Sequence, residues 1–596
     1  MTTLIIVESP SKATKIQEYL GKDYIVVASY GHITELAKGG KHGLGVDVDN
    51  NFKPRYVISQ DKIEVVDRLL GLAKKCDNIL LSPDPDTEGE SIAWHLQQRL
   101  MDVGKPIKRI VFNEIKKSAI LKAIQNPRDI DMNLFHAQEA RRILDRLVGF
   151  TASPFLMNCF GSNPPLSAGR VQSVVTRLVI DREREIETFI PEQFWTIQVK
   201  LTDGKTPFIT KYTGKLTDQA TADQTKKILD QKDYVIYNVV SAEESKAPPA
   251  PLVTSTLQRI MSKEHGISPD RTMKAAQALY EGGYCTYIRT DSVRVGDEAL
   301  TDVRQWLTDN KYNIPKKANT YKNKDAAQDA HECIRPSDLT LLPWDNYAMA
   351  QPEEKLVYET IWRYFVASQM LPAVYDTLTV QAHPKANPAT KVKASGKALK
   401  SKGFLEILGV KDEGSIDIPL LTKNQAVSLD GSKNAVKMEK KQTQPPPRFS
   451  EDKLLKELET RGIGRPSTYA DLLTRVSGRN YVERKGSVFH ATDLGKKITD
   501  DLKKYFKFLD YDFTALMEKQ MDEIKSGKLD HIEMLKKFYP AYQQELAAAY
   551  SGHGAEKCEL CGNAMIIRHS KDKKSSFLGC SSYPRCKSTK TINNAA

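Results

Sequence analysis

The stretch NILLSPDPDTEGE (78–90) runs from a short apolar segment into acidic residues at alternate positions. Its apolar part, Asn78–Leu81, predicts a buried strand. Alternate side chains on extended backbone project from one side, so Asp84, Asp86 and Glu88 are expected to converge. Convergent carboxylates repel one another without a cation, and Mg²⁺ prefers oxygen ligands. The stretch therefore indicates a magnesium site, although an acidic surface turn would give the same pattern.

The first hundred residues alternate strand-like and helix-like segments. Leu4–Val7 and Tyr24–Ala28 predict further buried strands, while Lys12–Leu20 and Ser91–Leu100 predict helices. Such alternation favours a mostly parallel α/β sheet, in which ligands gather at the carboxyl ends of the strands. Glu8 follows the first strand, so we expect it beside the acidic stretch. Like-charge repulsion there would keep Glu8 partly protonated and able to act as a general acid.

The rest of the chain changes character several times. Apolar residues at helical spacing fill residues 115–185, β-favouring segments occupy 192–250 and 376–440, and a helical block lies between those two. At about 150 residues per domain, 596 residues suggest about four domains. The expected fold class is therefore multidomain, with α/β and α+β parts.

Composition restricts the class of protein. Lys and Arg number 88 against 75 Asp and Glu, a net charge of +13 that favours a polyanionic partner such as nucleic acid. With 40% hydrophobic and 27% charged residues, the chain is neither fibrous nor mostly disordered. No apolar run approaches the ~20 residues that span a bilayer, and the N-terminus does not resemble a secretory signal. We therefore expect a cytoplasmic protein that does not bind membranes.

The segment YCTYIRTDS (284–292) contains a candidate nucleophile. Tyrosine can form covalent intermediates, but at its usual pKa of ~10 it is mostly protonated at neutral pH. Arg289 lies two residues after Tyr287, where a guanidinium could stabilise both a phenolate and a phosphoryl group. Taken alone, a tyrosine in such a segment is more often structural.

Four cysteines crowd the C-terminal end of the chain as CELC, eighteen residues, then CSSYPRC. Cys558, Cys561, Cys580 and Cys586 thus form two close pairs, which suits tetrahedral Zn²⁺ better than disulfides. The other four cysteines are scattered, as in a reducing compartment. We expect one structural Zn²⁺.

A series of motifs resembles the bacterial topoisomerase I branch of the type IA DNA topoisomerases, over roughly residues 1–545. In the order of that family they are VESPSKA (7–13), SYGHI (29–33), DPDTEGE (84–90), FNEI (112–115), ARRILDRLVGF (140–150), LSAGRVQS (166–173), YCTYIRTDS (284–292), QDAHECIRPSD (328–338) and GIGRPSTYADLL (462–473). The cysteine cluster is similar to the zinc-ribbon repeat of such proteins. The resemblance implies a toroid of four domains with a small C-terminal zinc ribbon.

The implied domains are partly discontinuous. They are a toprim domain (1–125), a helical domain that binds single-stranded DNA (126–185 and 441–550), a β-rich arch or hinge domain (186–250 and 373–440), a catalytic tyrosine domain (251–372) and the ribbon (555–592).

The resemblance also implies the roles of individual residues. Tyr287 would be the nucleophile and Glu8 the acid, with Arg289, Lys12 and His331 as further catalytic residues. The metal site would consist of Glu8, Asp84, Asp86 and Glu88. The implied DNA contacts are His32, Arg141, Asp145, Arg170 and Gln172, although spacing alone would make Arg141 and Asp145 a surface ion pair.

The implied activity is the relaxation of negatively supercoiled DNA by a monomer that acts on single-stranded segments. A P-loop signature is absent from the sequence, which agrees with an enzyme that needs no ATP. A topoisomerase III-like decatenase is an alternative within the family. A toprim nuclease or primase would share only the carboxylates, and a non-catalytic single-strand-binding protein would share only the charge and the ribbon.

Overall fold

The computed structural model describes residues 2–39, 44–161, 165–323, 331–343, 351–410, 414–562, 564–569, 576–580 and 586–591. Residues 328–330 of the motif QDAHECIRPSD and residues 563, 570–575, 581–585 and 592 of the expected ribbon lie outside the described residues.

The N-terminal region is built on a parallel sheet with the strand order β2-β1-β7-β8. The elements of this region are β1 (Thr3–Val7), α1 (Pro10–Leu20), β2 (Tyr24–Ala28), β3 (Thr34–Leu36), β4 (Val46–Asp47), β5 (Lys53–Pro54), β6 (Tyr56–Ile58), α2 (Ile63–Ala73), β7 (Asn78–Ser82), α3 (Thr87–Leu100), β8 (Ile107–Arg109) and α4 (Lys117–Gln125). The predicted parallel α/β sheet is thus present. Val7 lies opposite Ser82, so the segments after β1 and β7 leave the sheet at the same edge.

The acidic stretch is not extended throughout, contrary to the prediction, because it is helical from Thr87 onward. Helix α3 begins at Thr87, one turn before the predicted Ser91, and Asp86 is its N-cap residue. The Asp86 carboxylate accepts a hydrogen bond from the Gly89 amide at 2.8 Å, which satisfies a donor that the helix leaves free. Glu88 therefore lies in the first turn of a helix. The acidic residues converge because a strand ends where a helix begins.

The middle of the chain adds helices and long strands. Its elements are α5 (Met132–Phe160), α6 (Gln172–Glu187), β9 (Gln193–Thr202), β10 (Pro207–Tyr212), α7 (Gln219–Leu229), β11 (Asp233–Lys246), α8 (Thr254–His265), α9 (Pro269–Glu281), α10 (Asp297–Asp309), α11 (Pro352–Ser368), β12 (Ala373–Pro384), β13 (Val392–Ser401), α12 (Leu405–Leu408), β14 (Ala426–Leu429) and β15 (Val436–Gln442).

The remaining elements are mainly helical. They are α13 (Glu451–Arg461), α14 (Tyr469–Ser477), β16 (Val482–Lys485), β17 (Val488–Ala491), α15 (Asp493–Tyr505), α16 (Tyr511–Lys525), α17 (His531–Gly552), β18 (Met565–His569), β19 (Ser576–Cys580) and β20 (Thr589–Thr591). The last three strands form a small antiparallel sheet.

A seven-stranded sheet joins two distant chain segments, in the order β10-β13-β12-β11-β14-β9-β15. Its longest pairing, between β11 and β12, extends from Tyr234 opposite Pro384 to Lys246 opposite Ala373. Side chains of β9 alternate between buried and more exposed positions, so one face of the sheet covers its own apolar core. The β-rich segments predicted on either side of the helical block therefore fold together.

Two further apolar cores fix the position of the helices. The core around α5 combines Ile143 and Leu147 with Met517 of α16 and Leu535 of α17. A second core continues from the parallel sheet into helices α8–α11, because Val7 belongs to the same buried cluster as Tyr280. Within the described residues, no helix has both the length and the hydrophobicity that crossing a membrane requires.

Candidate active site

The carboxyl edge of the parallel sheet brings Glu8 close to the acidic stretch. Burial, and then the negative charge of Asp84, raise the pKa of Glu8 to about 8. Glu8 is therefore protonated at neutral pH, as a general acid must be. Asp84 itself is buried, and burial raises its pKa, which the adjacent Lys12 ammonium partly offsets.

Two cations neutralise part of the acidic cluster. Lys12, on the first turn of α1, is buried and forms an ion pair with Asp84. Arg289 reaches across from the segment after α9, and its Nη1 lies 3.0 Å from Glu88 Oε2 and 3.6 Å from Asp86 Oδ2. Tertiary structure thus brings the predicted Lys12 and Arg289 to the same carboxylates.

His32 lies at the third carboxylate of the acidic stretch. Its Nε2 is 3.5 Å from Glu88 Oε1. The hydrogen bond from His32, assisted by Arg289, lowers the pKa of Glu88 to about 2. Glu88 is therefore ionised at neutral pH, while Glu8 is not.

Tyr287 lies within hydrogen-bonding distance of the acidic stretch. Its hydroxyl donates to Asp86 Oδ2 at 2.5 Å, and its backbone N–H donates to the Asn113 carbonyl at 2.7 Å. The ring packs edge-on against Tyr280 at 5.3 Å and is 4% exposed. Burial, followed by the charges of Asp86 and Asp84, raises the pKa of Tyr287 well above its usual value. The phenol is therefore neutral here, and its proton must pass to another group when its oxygen attacks a phosphate.

His331 contacts the backbone of the acidic stretch. Its ring hydrogen-bonds the carbonyl of Pro85, between Asp84 and Asp86, and burial lowers its pKa. A neutral imidazole at this position can hydrogen-bond a phosphate without adding charge. The structure therefore assembles all eight predicted catalytic and metal-site residues, together with His32, at one place.

The buried ion pair between Arg109 and Glu90, next to the acidic stretch, was not predicted from the sequence. The guanidinium of Arg109 is fully buried and donates to the backbone carbonyl of Asp84 at 2.8 Å and to Glu90 Oε2 at 3.2 Å. A Cβ at Gly89 would lie 2.0 Å from the same Asp84 carbonyl, so only glycine permits this approach. Glu90 belongs to the quoted acidic motif, but its direction into the core depends on the start of α3 at Thr87.

The residues implied as DNA contacts on α5 and before α6 form a separate cluster. Arg141 Nη2 lies 2.6 Å from Glu518 Oε2, and Arg170 Nη1 lies 2.9 Å from Glu518 Oε1. Asp145, which is 51% exposed, pairs with Arg170 at 3.3 Å. Arg141 therefore has its partner on α16, and the Arg170 guanidinium is fully buried. Gln172 begins α6, and its side-chain nitrogen is buried without a partner among the described residues.

Glu518 is the residue of this cluster that sequence reasoning missed. Its side chain is fully buried, and although burial opposes ionisation, Arg141 and Arg170 lower its pKa far below the usual value. The sequence feature that could have identified Glu518 is its position beside Met517 and Met521, on the apolar face of α16. An acid at a core position indicates a buried cationic partner.

The four C-terminal cysteines converge as their spacing predicted. The four Sγ atoms all lie within 4.8 Å of one another. The Sγ atoms of Cys558 and Cys586 are 3.5 Å apart, and those of Cys561 and Cys580 are 3.3 Å apart. These separations far exceed a disulfide bond and approach the ~3.8 Å between thiolates around a tetrahedral Zn²⁺. The donor set and its geometry fit Zn²⁺.

The carboxylate cluster also fits a divalent cation. Four carboxyl groups lie near only two cationic side chains, Lys12 and Arg289. The repulsion among the carboxyl groups contributes to the raised pKa of Glu8. Hard oxygen donors in this number suit Mg²⁺. The arrangement combines a phenol, a protonated acid, two cations that could bind a phosphate and a candidate metal site. Phosphoryl transfer to tyrosine requires groups of these kinds.

Comparisons with known proteins agree with this chemistry. The sequence model described as DNA topoisomerase matches residues 129–536, the Toprim domain model matches residues 3–115, and that of the topoisomerase DNA binding C4 zinc finger matches residues 555–595. Full-length topoisomerase I from Thermotoga maritima is similar to this chain with a TM-score of 0.81 and 33% sequence identity. The similarity covers 100% of this chain and 98% of that one. The chain therefore belongs to the DNA topoisomerase family, as a type IA enzyme of the bacterial topoisomerase I kind.

Proposed function

We propose that this enzyme relaxes negatively supercoiled DNA without ATP, by cutting one strand through Tyr287, passing another strand and resealing the break. The observation that carries the proposal is the 2.5 Å hydrogen bond from the Tyr287 hydroxyl to Asp86, beside Glu8 with its pKa of about 8. The nucleophile and a protonated acid thus belong to one site.

The residues of the site divide the proposed reaction between them. A phosphate that enters the site would take Arg289 as a partner. The Tyr287 oxygen would attack phosphorus while its proton passes to Asp86, which already accepts a hydrogen bond from that hydroxyl. The bond from phosphorus to the 3′ oxygen then breaks, and Glu8 gives that oxygen its proton. Resealing is the reverse, since the ionised Glu8 takes the proton back as the 3′ hydroxyl attacks. The phosphotyrosine conserves the energy of the broken bond, so the cycle needs no nucleotide.

We infer that Mg²⁺ is held by Glu8, Asp84, Asp86 and Glu88. When bound, the ion would supply positive charge that screens the phosphates and aligns the strand ends. The ion would compete with Lys12 and Arg289 for the same carboxylates, which leaves both side chains available to DNA.

We also infer that the substrate is single-stranded DNA bound between the site and helix α5. His32 would contact DNA beside Glu88, and the exposed side of the cluster around Asp145 and Gln172 would face the strand. Arg141 and Arg170 are held by Glu518, so their contribution is to position these elements. We propose that the enzyme acts as a monomer in the bacterial cytoplasm.

The domain division proposed from the sequence is supported by the packing. The segments 186–250 and 373–440 contribute strands to one sheet, and the core around α5 unites 126–185 with 441–550. We propose that 1–125 is the toprim domain, 251–372 the catalytic tyrosine domain and 555–592 the ribbon, and that the first four domains form a toroid.

Plasmid relaxation and covalent capture test this function. Tyr287→Phe should abolish both relaxation and the phosphotyrosyl adduct while leaving binding of single-stranded DNA nearly intact, because only a hydroxyl is lost. Tyr284→Phe, three residues away, is the matched control and should retain activity. Relaxation by the unchanged protein should need Mg²⁺ and ignore ATP. An adduct formed by Tyr287→Phe, or relaxation that depends on ATP, would contradict the proposal.

A further inference from the structure

A cavity of about 740 Å³ lies beside the nucleophile. Pro85, between two of the metal-site carboxylates, and His331 line it on one side. Asn113 also lines it, and the carbonyl of this residue accepts the backbone N–H of Tyr287. The cavity therefore opens next to the place where the scissile phosphate would lie, and its volume is within the range of small-ligand sites.

The walls of the cavity combine an aromatic ring with hydrogen-bonding groups. Phe112 is half-buried and packs against the apolar core on one side. Among the described residues, the side-chain amide of Asn113 has no hydrogen-bond partner. The guanidinium of Arg128 is fixed by Glu90, at 2.7 and 2.9 Å, and keeps further N–H donors free. A flat, neutral ligand with polar edges would find both a stacking surface and donors.

The charges in the cavity argue against a phosphate group. Its charged side chains are already paired, because Glu90 binds both Arg109 and Arg128. Asp129 pairs with Lys108, and Asp131 caps helix α5. A second phosphate would therefore have to compete with these carboxylates for a cation. A nucleobase needs no cation, because it is uncharged and can stack on a ring.

We propose that this cavity receives one nucleobase of the cut strand, next to the scissile phosphate, with Phe112 as the stacking residue. The inference rests on the proposed cleavage of DNA at Tyr287. Holding one flanking base would fix the strand in register, so that the phosphate meets the Tyr287 hydroxyl. Phe112 and Asn113 are thus positioning residues for cleavage.

The test uses the full-length protein and single-stranded oligonucleotides that carry one abasic site, placed in turn at each position around the break. The unchanged protein should lose roughly five- to 150-fold in single-turnover cleavage when the abasic site removes the stacked base. Phe112→Leu should show a similar loss with the intact oligonucleotide and no added loss from the abasic site at that one position. Phe112→Trp should restore the response to the abasic site. Phe194→Leu, at a half-buried phenylalanine on β9, is the matched control.

Each outcome decides the inference. Equal abasic losses in Phe112→Leu and the unchanged protein at every position would overturn it. If Phe112→Leu does not fold, Asn113→Ala supplies the same comparison, and the absence of coupling in that variant would also overturn the inference. Failure of the unchanged protein to form any adduct would instead refute the proposed function.

Discussion

Glu518 and Arg170 form a fully buried ion pair at 2.9 Å, although 348 positions separate them in the chain. Arg141 on α5 forms a second ion pair with Glu518. Arg465 lies 3.9 Å from Glu518 and forms a closer ion pair with Asp522. One carboxylate thereby joins α5, the segment before α6 and α16. These elements carry most of the residues implied as DNA contacts.

Removing the charge of Glu518 should destabilise this part of the molecule. Glu518→Gln keeps the side-chain shape but leaves buried guanidinium groups without a counter-charge, which costs about 3–5 kcal/mol. Urea unfolding, followed in the full-length protein, measures the loss. Asp512→Asn, at an exposed position on the same helix, should cost under about 1 kcal/mol. Equal stabilities of the two variants would show that the Glu518 cluster contributes little.

Cleavage in the presence of a chelator should fall as the pH rises through about 8. Glu8 must be protonated to release the 3′ oxygen, so its contribution is present below its pKa of about 8 and is lost above it. Glu8→Gln should lower the rate by roughly 100-fold or more and remove this decline. Glu18→Gln, an exposed acid on α1, is the control. A decline with pH that persists in Glu8→Gln would assign it to another group.

The double variant Asp84→Asn, Asp86→Asn should weaken the support that Mg²⁺ gives to relaxation. Asparagine at position 86 still caps α3, so the fold should persist. Resealing should suffer more than cleavage, because the ion aligns the ends, and the covalent adduct should accumulate. Relaxation and adduct levels across a Mg²⁺ titration measure this, with Asp67→Asn, Asp102→Asn as the exposed control pair. A wild-type relaxation rate at every Mg²⁺ concentration would exclude these carboxylates as the metal site.

The zinc ribbon should be dispensable for cleavage but not for efficient relaxation. A chain that ends after Ala555 keeps α17 and the contact between His553 and Asp501. It should cleave a short oligonucleotide normally and relax plasmid less processively, most visibly at high salt, because phosphate contacts weaken with salt. Metal analysis should find one Zn²⁺ in the full chain and none in the shortened one. Full relaxation by the shortened chain at every salt concentration would remove the proposed role of the ribbon.

Local patterns predicted much of the fold and of the candidate site. Short apolar runs give the strands β1, β2 and β7, and the acidic stretch after β7 marks the edge of the sheet where ligands gather. The spacing of the four C-terminal cysteines predicted that they converge. These features depend on residues close together in the chain, so periodicity and spacing reveal them.

Other features of the candidate site depend on which distant residues meet. Periodicity could not reveal that Asp86 caps α3, or that Gly89 leaves room for the Asp84 carbonyl at the start of that helix. Spacing alone favoured Asp145 as the partner of Arg141, whereas packing supplies Glu518. Hydrophobic spacing identifies the buried face of a helix. It does not identify which oppositely charged residue on another helix pairs with a buried ionised side chain.

The sequence by itself determined the chemical groups of this protein: a tyrosine followed by an arginine, carboxylates after buried strands, and four cysteines with the spacing of a zinc site. Only the tertiary structure decided how far the pKa values of those groups shift. Burial, and then the charge of Asp86 that packing brings to its hydroxyl across 201 positions of sequence, raise the pKa of Tyr287 further above its usual value. Burial, and then the nearby charge of Asp84, raise the pKa of Glu8 to about 8. Burial and nearby charge set the pKa of each group, and both arise only when distant segments pack together.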